Sequence, residues 1–202
     1  MTQAKVKFAS FEEYLTWSND PENYMEGHYG LMDGELIKLP PESEPNNWIA
    51  NYLQFLLAAG KVAPLRLIKI HSLELQVPPL QKGDVQNRFP DLVVLREEHL
   101  ELTERRLTIT LDMPPPILIA EVVSPGKTNR DQDFINKRSQ YAAIGVPEYW
   151  LIDPKAKTVT VLELEGDDYR TIGTFQGIAP IVSPTFPALT LSAEQVFQSN
   201  EI

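Results

Sequence analysis

Two carboxylates stand in apolar runs where a folded chain does not leave a charge without reason. Asp91 opens the run Leu92 to Leu95, and Glu121 interrupts Ile117-Leu118-Ile119-Ala120-Glu121-Val122-Val123. Burying an unpaired carboxylate in a strand is costly, and a divalent metal would resolve that cost. Mg2+ wants a few carboxylates plus waters in octahedral geometry, so two acids from adjacent strand ends make a half-site that phosphate oxygens and waters complete. Mn2+ fits the same ligands. Such an ion lowers the pKa of a bound water, steadies charge developing on phosphorus and orients the attack. Lys137, on the helix that follows, would stabilise that charge or help position the nucleophile. Spacing alone leaves duller readings open. Buried acids paired with arginine occur in many cores, and Lys137 shares a helical face with Asp133 and Tyr141 at four-residue steps, a pattern usual on a solvated helix.

The elements that must position these groups follow from pattern. Leu92 to Leu95 and Ile117 to Val123 are short, β-branched and apolar, as buried central strands are. Asp131 to Ile144 has helical character and stops at Gly145, and Glu148 to Asp153 reads as a strand, so Glu121 and Lys137 fall within one βαβ unit. Ahead of it, Ser10 with Glu13 forms a capping box for a helix from Phe11 to about Trp17. Asp33-Gly34 between apolar flanks predicts a hairpin that puts Glu35 at the start of the returning strand. Trp48, Ile49, Tyr52, Leu53, Leu56 and Leu57 recur at helical spacing up to Gly60, a helix read as core and not as a site. Leu67 to Val77 reads as one strand ended by Pro78-Pro79. Glu97 to Glu104 is helix or loop, and Leu107 to Leu111 alternates like an edge strand. Lys157 to Glu165 pairs with Tyr169 to Phe175 across Gly166-Asp167-Asp168, and Ser192 with Gln195 caps a closing helix.

Composition bounds the function. A chain of 202 residues, 43% hydrophobic and 23% charged, suits a single domain over 1–202 with a sizeable core. The absence of cysteine excludes disulfides, thiolate zinc sites and cysteine nucleophiles, and a cytoplasmic location is the expectation. The N-terminus lacks the apolar core of a signal peptide and no stretch approaches 18 apolar residues, so no membrane partner is expected. Acids outnumber bases 28 to 18 for a net charge of -10, so contact with nucleic acid must be local. Residues 126–138 run the other way, with Lys127, Arg130, Lys137 and Arg138 against Asp131 and Asp133. Gly126-Lys127-Thr128 looks like the end of a phosphate-binding loop, but the first glycine of that pattern would fall on Glu121. His28, His71 and His99 show no metal-ligand spacing and receive no role.

An ordered set of motifs carries a resemblance: Pro90-Asp91-Leu92-Val93-Val94, then Ala120-Glu121-Val122-Val123-Ser124-Pro125, then Asp131 to Lys137, Tyr141, and Gly145-Val146-Pro147-Glu148-Tyr149-Trp150-Leu151-Ile152-Asp153. Together, from about Phe11 to the C-terminus, they resemble the Uma-two family of restriction-endonuclease-like proteins. The resemblance implies an α/β (α+β) fold of PD-(D/E)XK type, a mixed central β-sheet flanked by helices. It matches Asp91 to the motif aspartate, Glu121 to the second acid and Glu35 to the early acid. The superfamily's lysine, two residues after the second acid, is Val123 here, and the resemblance suggests that it has migrated to Lys137, whose side chain is long enough to reach back. Asn46-Asn47 stand where many members have histidine. The implied function is Mg2+-dependent hydrolysis of DNA by an activated water. The alternative is a catalytically silent nuclease fold that binds nucleic acid or protein, and a two-fold homodimer is a common form for such domains.

Overall fold

The computed structural model describes residues 6–123 and 130–198. The Gly126-Lys127-Thr128 segment lies outside them. The strands are β1 (Tyr29–Met32), β2 (Glu35–Lys38), β3 (Ile68–Ile70), β4 (Glu74–Gln76), β5 (Asn87–Arg88), β6 (Leu92–Val94), β7 (Thr108–Ile109), β8 (Leu118–Val122), β9 (Glu148–Asp153), β10 (Thr158–Glu165) and β11 (Asp168–Gln176). The helices are α1 (Phe11–Ser18), α2 (Glu44–Ala59), α3 (His99–Leu102), α4 (Arg130–Ala143) and α5 (Ala193–Phe197).

A six-stranded mixed sheet in the order β11-β10-β9-β8-β6-β3 forms the centre. β8 and β9 are parallel and joined through α4, whereas β6 lies antiparallel to β8. This is the βαβ unit that the apolar runs predicted, and it buries β8 between two neighbours. Every residue of β8 is buried, as the continuous apolar run of a central strand requires.

Successive side chains of a strand point to opposite faces, and the packing follows that alternation. Leu92, Val94, Leu118, Ala120 and Val122 join Ile49, Leu53 and Leu57 of α2 and Val196 of α5 in one cluster. Val93, Leu95, Ile119 and Leu151 join Tyr141 and Ala142 of α4 in the other. Asp91 falls in phase with Val93, and Glu121 in phase with Ile119. Both acids therefore belong to the α4 face of the sheet.

The predicted strand over Leu67 to Val77 is instead two strands in two sheets. β3 pairs with β6 in the central sheet, and β4 joins β5 and β7 in a three-stranded sheet. The break is at His71, whose φ is 50°, and Ser72 N–H donates to Ile70 C=O at 2.6 Å across it. This is a γ-turn with positive central φ, a strained form that changes the chain direction within three residues. No glycine or proline marks it.

Other turns match their residues. Asp33 and Gly34 take φ values of 49° and 82° in the β1–β2 hairpin, the left-handed pair that an Asp-Gly loop supplies. Ser192 and Gln195 form both bonds of a capping box at α5. At α1 Ser10 Oγ accepts from Glu13 N–H at 3.1 Å, but the Glu13 side chain takes the N–H of Ala9 and not that of Ser10.

Candidate active site

The registers of the central sheet bring the two acids together. Val93 faces Ile119 and Leu92 faces Ala120 across the β6–β8 ladder, so one further step sets Asp91 opposite Glu121. Residues so placed have Cβ atoms about 5 Å apart, and like charges there destabilise the pair. Both side chains are nonetheless buried, at 4% and 5% exposure.

Each carboxylate is fixed by donors. Asp91 Oδ2 accepts from Val122 N–H at 2.6 Å, and its Oδ1 lies 3.4 Å from His71 Nδ1. Glu121 Oε1 accepts from the Tyr141 hydroxyl at 2.6 Å, and Oε2 from Lys137 Nζ at 3.0 Å. Lys137 and Tyr141 are one helical turn apart, so the same face of α4 serves both oxygens. Lys137 and Tyr141 of that face are turned toward the sheet, with Tyr141 fully buried. Lys137 does reach Glu121 from within α4.

The electrostatics reflect crowded negative charge. Burial raises the Glu121 carboxyl from 4.5 to about 7; Lys137 opposes that rise and the Asp91 charge adds to it. Glu42 is also raised, by desolvation and then by Asp91, while His71 and Lys137 pull it down. His71 is raised chiefly by its contact with Asp91, with Glu42 and Glu121 contributing. Glu42, just ahead of α2, thus shares a field with Asp91, Glu121, Lys137 and His71. Asn46, in the first turn of α2, is buried and its Nδ2 lies 3.5 Å from Val122 C=O.

The family described as "Putative restriction endonuclease", Uma2, matches residues 11–194. The chain belongs to the Uma2 family. Its fold is similar to that of a crystallised "putative nuclease belonging to DUF820 from Anabaena variabilis ATCC 29413", with a TM-score of 0.61 and 21% identity over 93% of this chain and 97% of that one. No curated protein matches it. The mixed sheet with flanking helices is thus the restriction-endonuclease-like fold, and family and fold together are those of a restriction-endonuclease-like nuclease.

In this Uma2 chain Asp91, Glu121 and Lys137 converge. Glu35 sits on the β1–β2 hairpin in register with Met32, in a separate two-stranded sheet. Sequence reading missed His71, because its place depends on an unmarked break between β3 and β4. It missed Glu42 because the polar stretch before α2 has no periodicity to follow. The usable signal for Glu42 was its position between Pro40-Pro41 and the start of α2, where Pro45 stands in the first turn.

Among the described residues no three His, Cys, Asp or Glu side chains form a metal-holding group by themselves. The donor set is two opposed carboxylates, which fits a hard cation that keeps several waters and takes its other ligands from substrate, as Mg2+ or Mn2+ does, and not a closed zinc site. The raised Glu121 and the buried like charges are what such a cation would relieve.

Proposed function

We propose that this Uma2 protein is a metal-dependent endonuclease that hydrolyses DNA phosphodiester bonds. The observation that carries the reading is the buried, directly opposed Asp91–Glu121 pair with Lys137 on Glu121. In this reading Asp91 and Glu121 hold Mg2+ or Mn2+. The bound ion supplies Lewis-acid chemistry, offsetting negative charge at the phosphate and acidifying water.

The chain's own groups do the rest. Val122 N–H keeps Asp91 from rotating, and Tyr141 keeps Glu121 from turning away. Lys137 brings positive charge to the place where negative charge develops on the phosphate oxygens, where a fixed cation in a poorly hydrated site acts strongly. Hydrolysis forms one P–O bond to water and breaks one to the leaving oxygen, with no protein nucleophile. Glu35 keeps the role of early acid that the resemblance gives it, and Glu42, whose carboxyl is raised in part by the Asp91 charge, is a second acid for that role.

The test is cleavage of supercoiled, linear and single-stranded DNA with Mg2+ or Mn2+. Asp91→Ala and Glu121→Ala are expected to fall to background, and Lys137→Ala by about 100- to 1000-fold. Cleavage that survives the acid substitutions would assign the activity to another site or a contaminant. No cleavage of any substrate would leave a nuclease fold that binds without cutting.

A further inference from the structure

His71 departs from ordinary behaviour in three independent ways. Its backbone has φ of 50°, a region that non-glycine residues seldom occupy and that asparagine tolerates best. Its N–H donates to the Asp91 carbonyl at 3.3 Å, while its Nδ1 lies 3.4 Å from Asp91 Oδ1. Its Nε2 is buried with no hydrogen-bond partner among the described residues. Strain of this kind persists only where the surroundings enforce it, and it gathers at functional sites.

The contacts with Asp91 act together. The backbone bond fixes where His71 stands relative to Asp91, and the imidazole of the turn residue lies against the carboxylate. With Val122 N–H on Oδ2, both Asp91 oxygens have a fixed neighbour. The antiparallel β3–β6 register, with Ile70 opposite Leu92, puts position 71 opposite Asp91, so the strained turn ends β3 at the residue that faces this carboxylate.

We propose that His71 is a positioning residue, holding the Asp91 carboxylate in the orientation in which it takes a divalent cation. This rests on the metal-dependent reading above. Outer groups that orient a ligand typically govern metal affinity by about 10- to 100-fold when removed. The backbone strain lets the side chain's contribution be separated from the turn's. His71→Gly keeps the positive φ without strain and removes the imidazole. His71→Asn also tolerates the turn and puts an amide N–H near the position of Nδ1.

The experiment is calorimetric titration of the full chain with Mn2+ alone, alongside thermal unfolding of each variant without metal. We expect His71→Gly to unfold no earlier than wild type yet bind Mn2+ about 10- to 100-fold more weakly, and His71→Asn to stay within about threefold of wild type by the same reasoning. His71→Gly binding as tightly as wild type overturns the inference, and so does His71→Asn binding as weakly as His71→Gly. The two readings fail differently. If wild type binds Mn2+ and Asp91→Ala does not, the metal site stands and only the role of His71 is at issue. If wild type binds none, or binds no better than Asp91→Ala, both readings fall.

Discussion

Glu121 is an acid whose proton is held more tightly in the folded chain than in the unfolded one. Between its unfolded value of 4.5 and its folded value of about 7, the folded state carries more protons, so stability falls as pH rises through that window. Below it the carboxyl is neutral in both states and the penalty is absent. Above it the loss is complete and on the order of 3 kcal/mol. Glu121→Gln is neutral throughout, and its amide oxygen can still accept from the Tyr141 hydroxyl, while its amide nitrogen, a donor, no longer accepts from Lys137. Chemical denaturation from pH 4 to 8 in chelator should therefore show a steeper decline in wild type than in Glu121→Gln. Equal slopes would mean that Lys137 fully compensates the buried charge. The acids themselves were legible in sequence, because a charge inside an apolar β run contradicts its surroundings. His71 was not, because its neighbours Ile70 and Leu73 continue an apolar strand pattern on either side and the reversal between them depends on two sheets diverging.

At the level of elements, the second sheet is tied to α1 through one buried carboxylate. Glu74 Oε1 accepts from the Tyr14 hydroxyl at 3.1 Å and from Asn87 Nδ2 at 2.7 Å, and Oε2 from Arg106 Nη2 at 2.8 Å and Thr108 Oγ1 at 2.9 Å. Arg106 Nη1 continues to Ser18 and Asn19 at the end of α1. Four donors on one carboxylate bind α1, β4, β5 and β7 together, and a satisfied network of this kind rigidifies the place where it sits. Arg106→Met removes the cation while keeping much of the volume, leaving Glu74 charged and buried. That should cost about 3 kcal/mol in urea unfolding, and Glu74→Gln in the same background should recover part of it. A loss below about 0.5 kcal/mol would show the pair to behave as an exposed one. The βαβ unit, the β1–β2 hairpin and the β10–β11 pair were readable because local patterning and turn chemistry agreed. The allocation of β3 and β4 to different sheets was not, since strand pairing is a long-range choice that alternation does not encode.

The whole molecule is strongly acidic, with a net charge of -10, yet belongs to a family described by action on nucleic acid. Its field at distances beyond the Debye length of about 8 Å in physiological salt opposes a polyanion or is screened, so attraction must come from a few cations close to the site. Binding that neutralises few phosphates releases few counterions. Fluorescence anisotropy of Asp91→Ala on duplex DNA should give a slope of log K against log salt of no more than about 3 in magnitude. A slope near 8 would require a broad basic surface in place of a local one. Adding Mg2+ to wild type should strengthen binding more than it does in Asp91→Ala, because only an intact site can bridge the chain to phosphate. Among the described residues no helix is long and apolar enough to cross a membrane. The charge imbalance could be read directly from composition, but where the few useful cations converge depends on the fold.

The ladder between β6 and β8 has a consequence for how this chain can change length. Strand faces alternate with a period of two, so adding or deleting a residue in the loops that flank β8 is absorbed outside the ladder, whereas a single deletion among Leu118, Ile119 and Ala120 inverts everything after it. Glu121 would then project among the residues that pack against Leu53 and Leu57, on the far side of the sheet from Lys137 and Tyr141. The placement of Glu121 is thus stored as parity: an even displacement along the strand keeps the acid on the side of Lys137 and Tyr141, and an odd one removes it from them while hardly altering the composition of the chain.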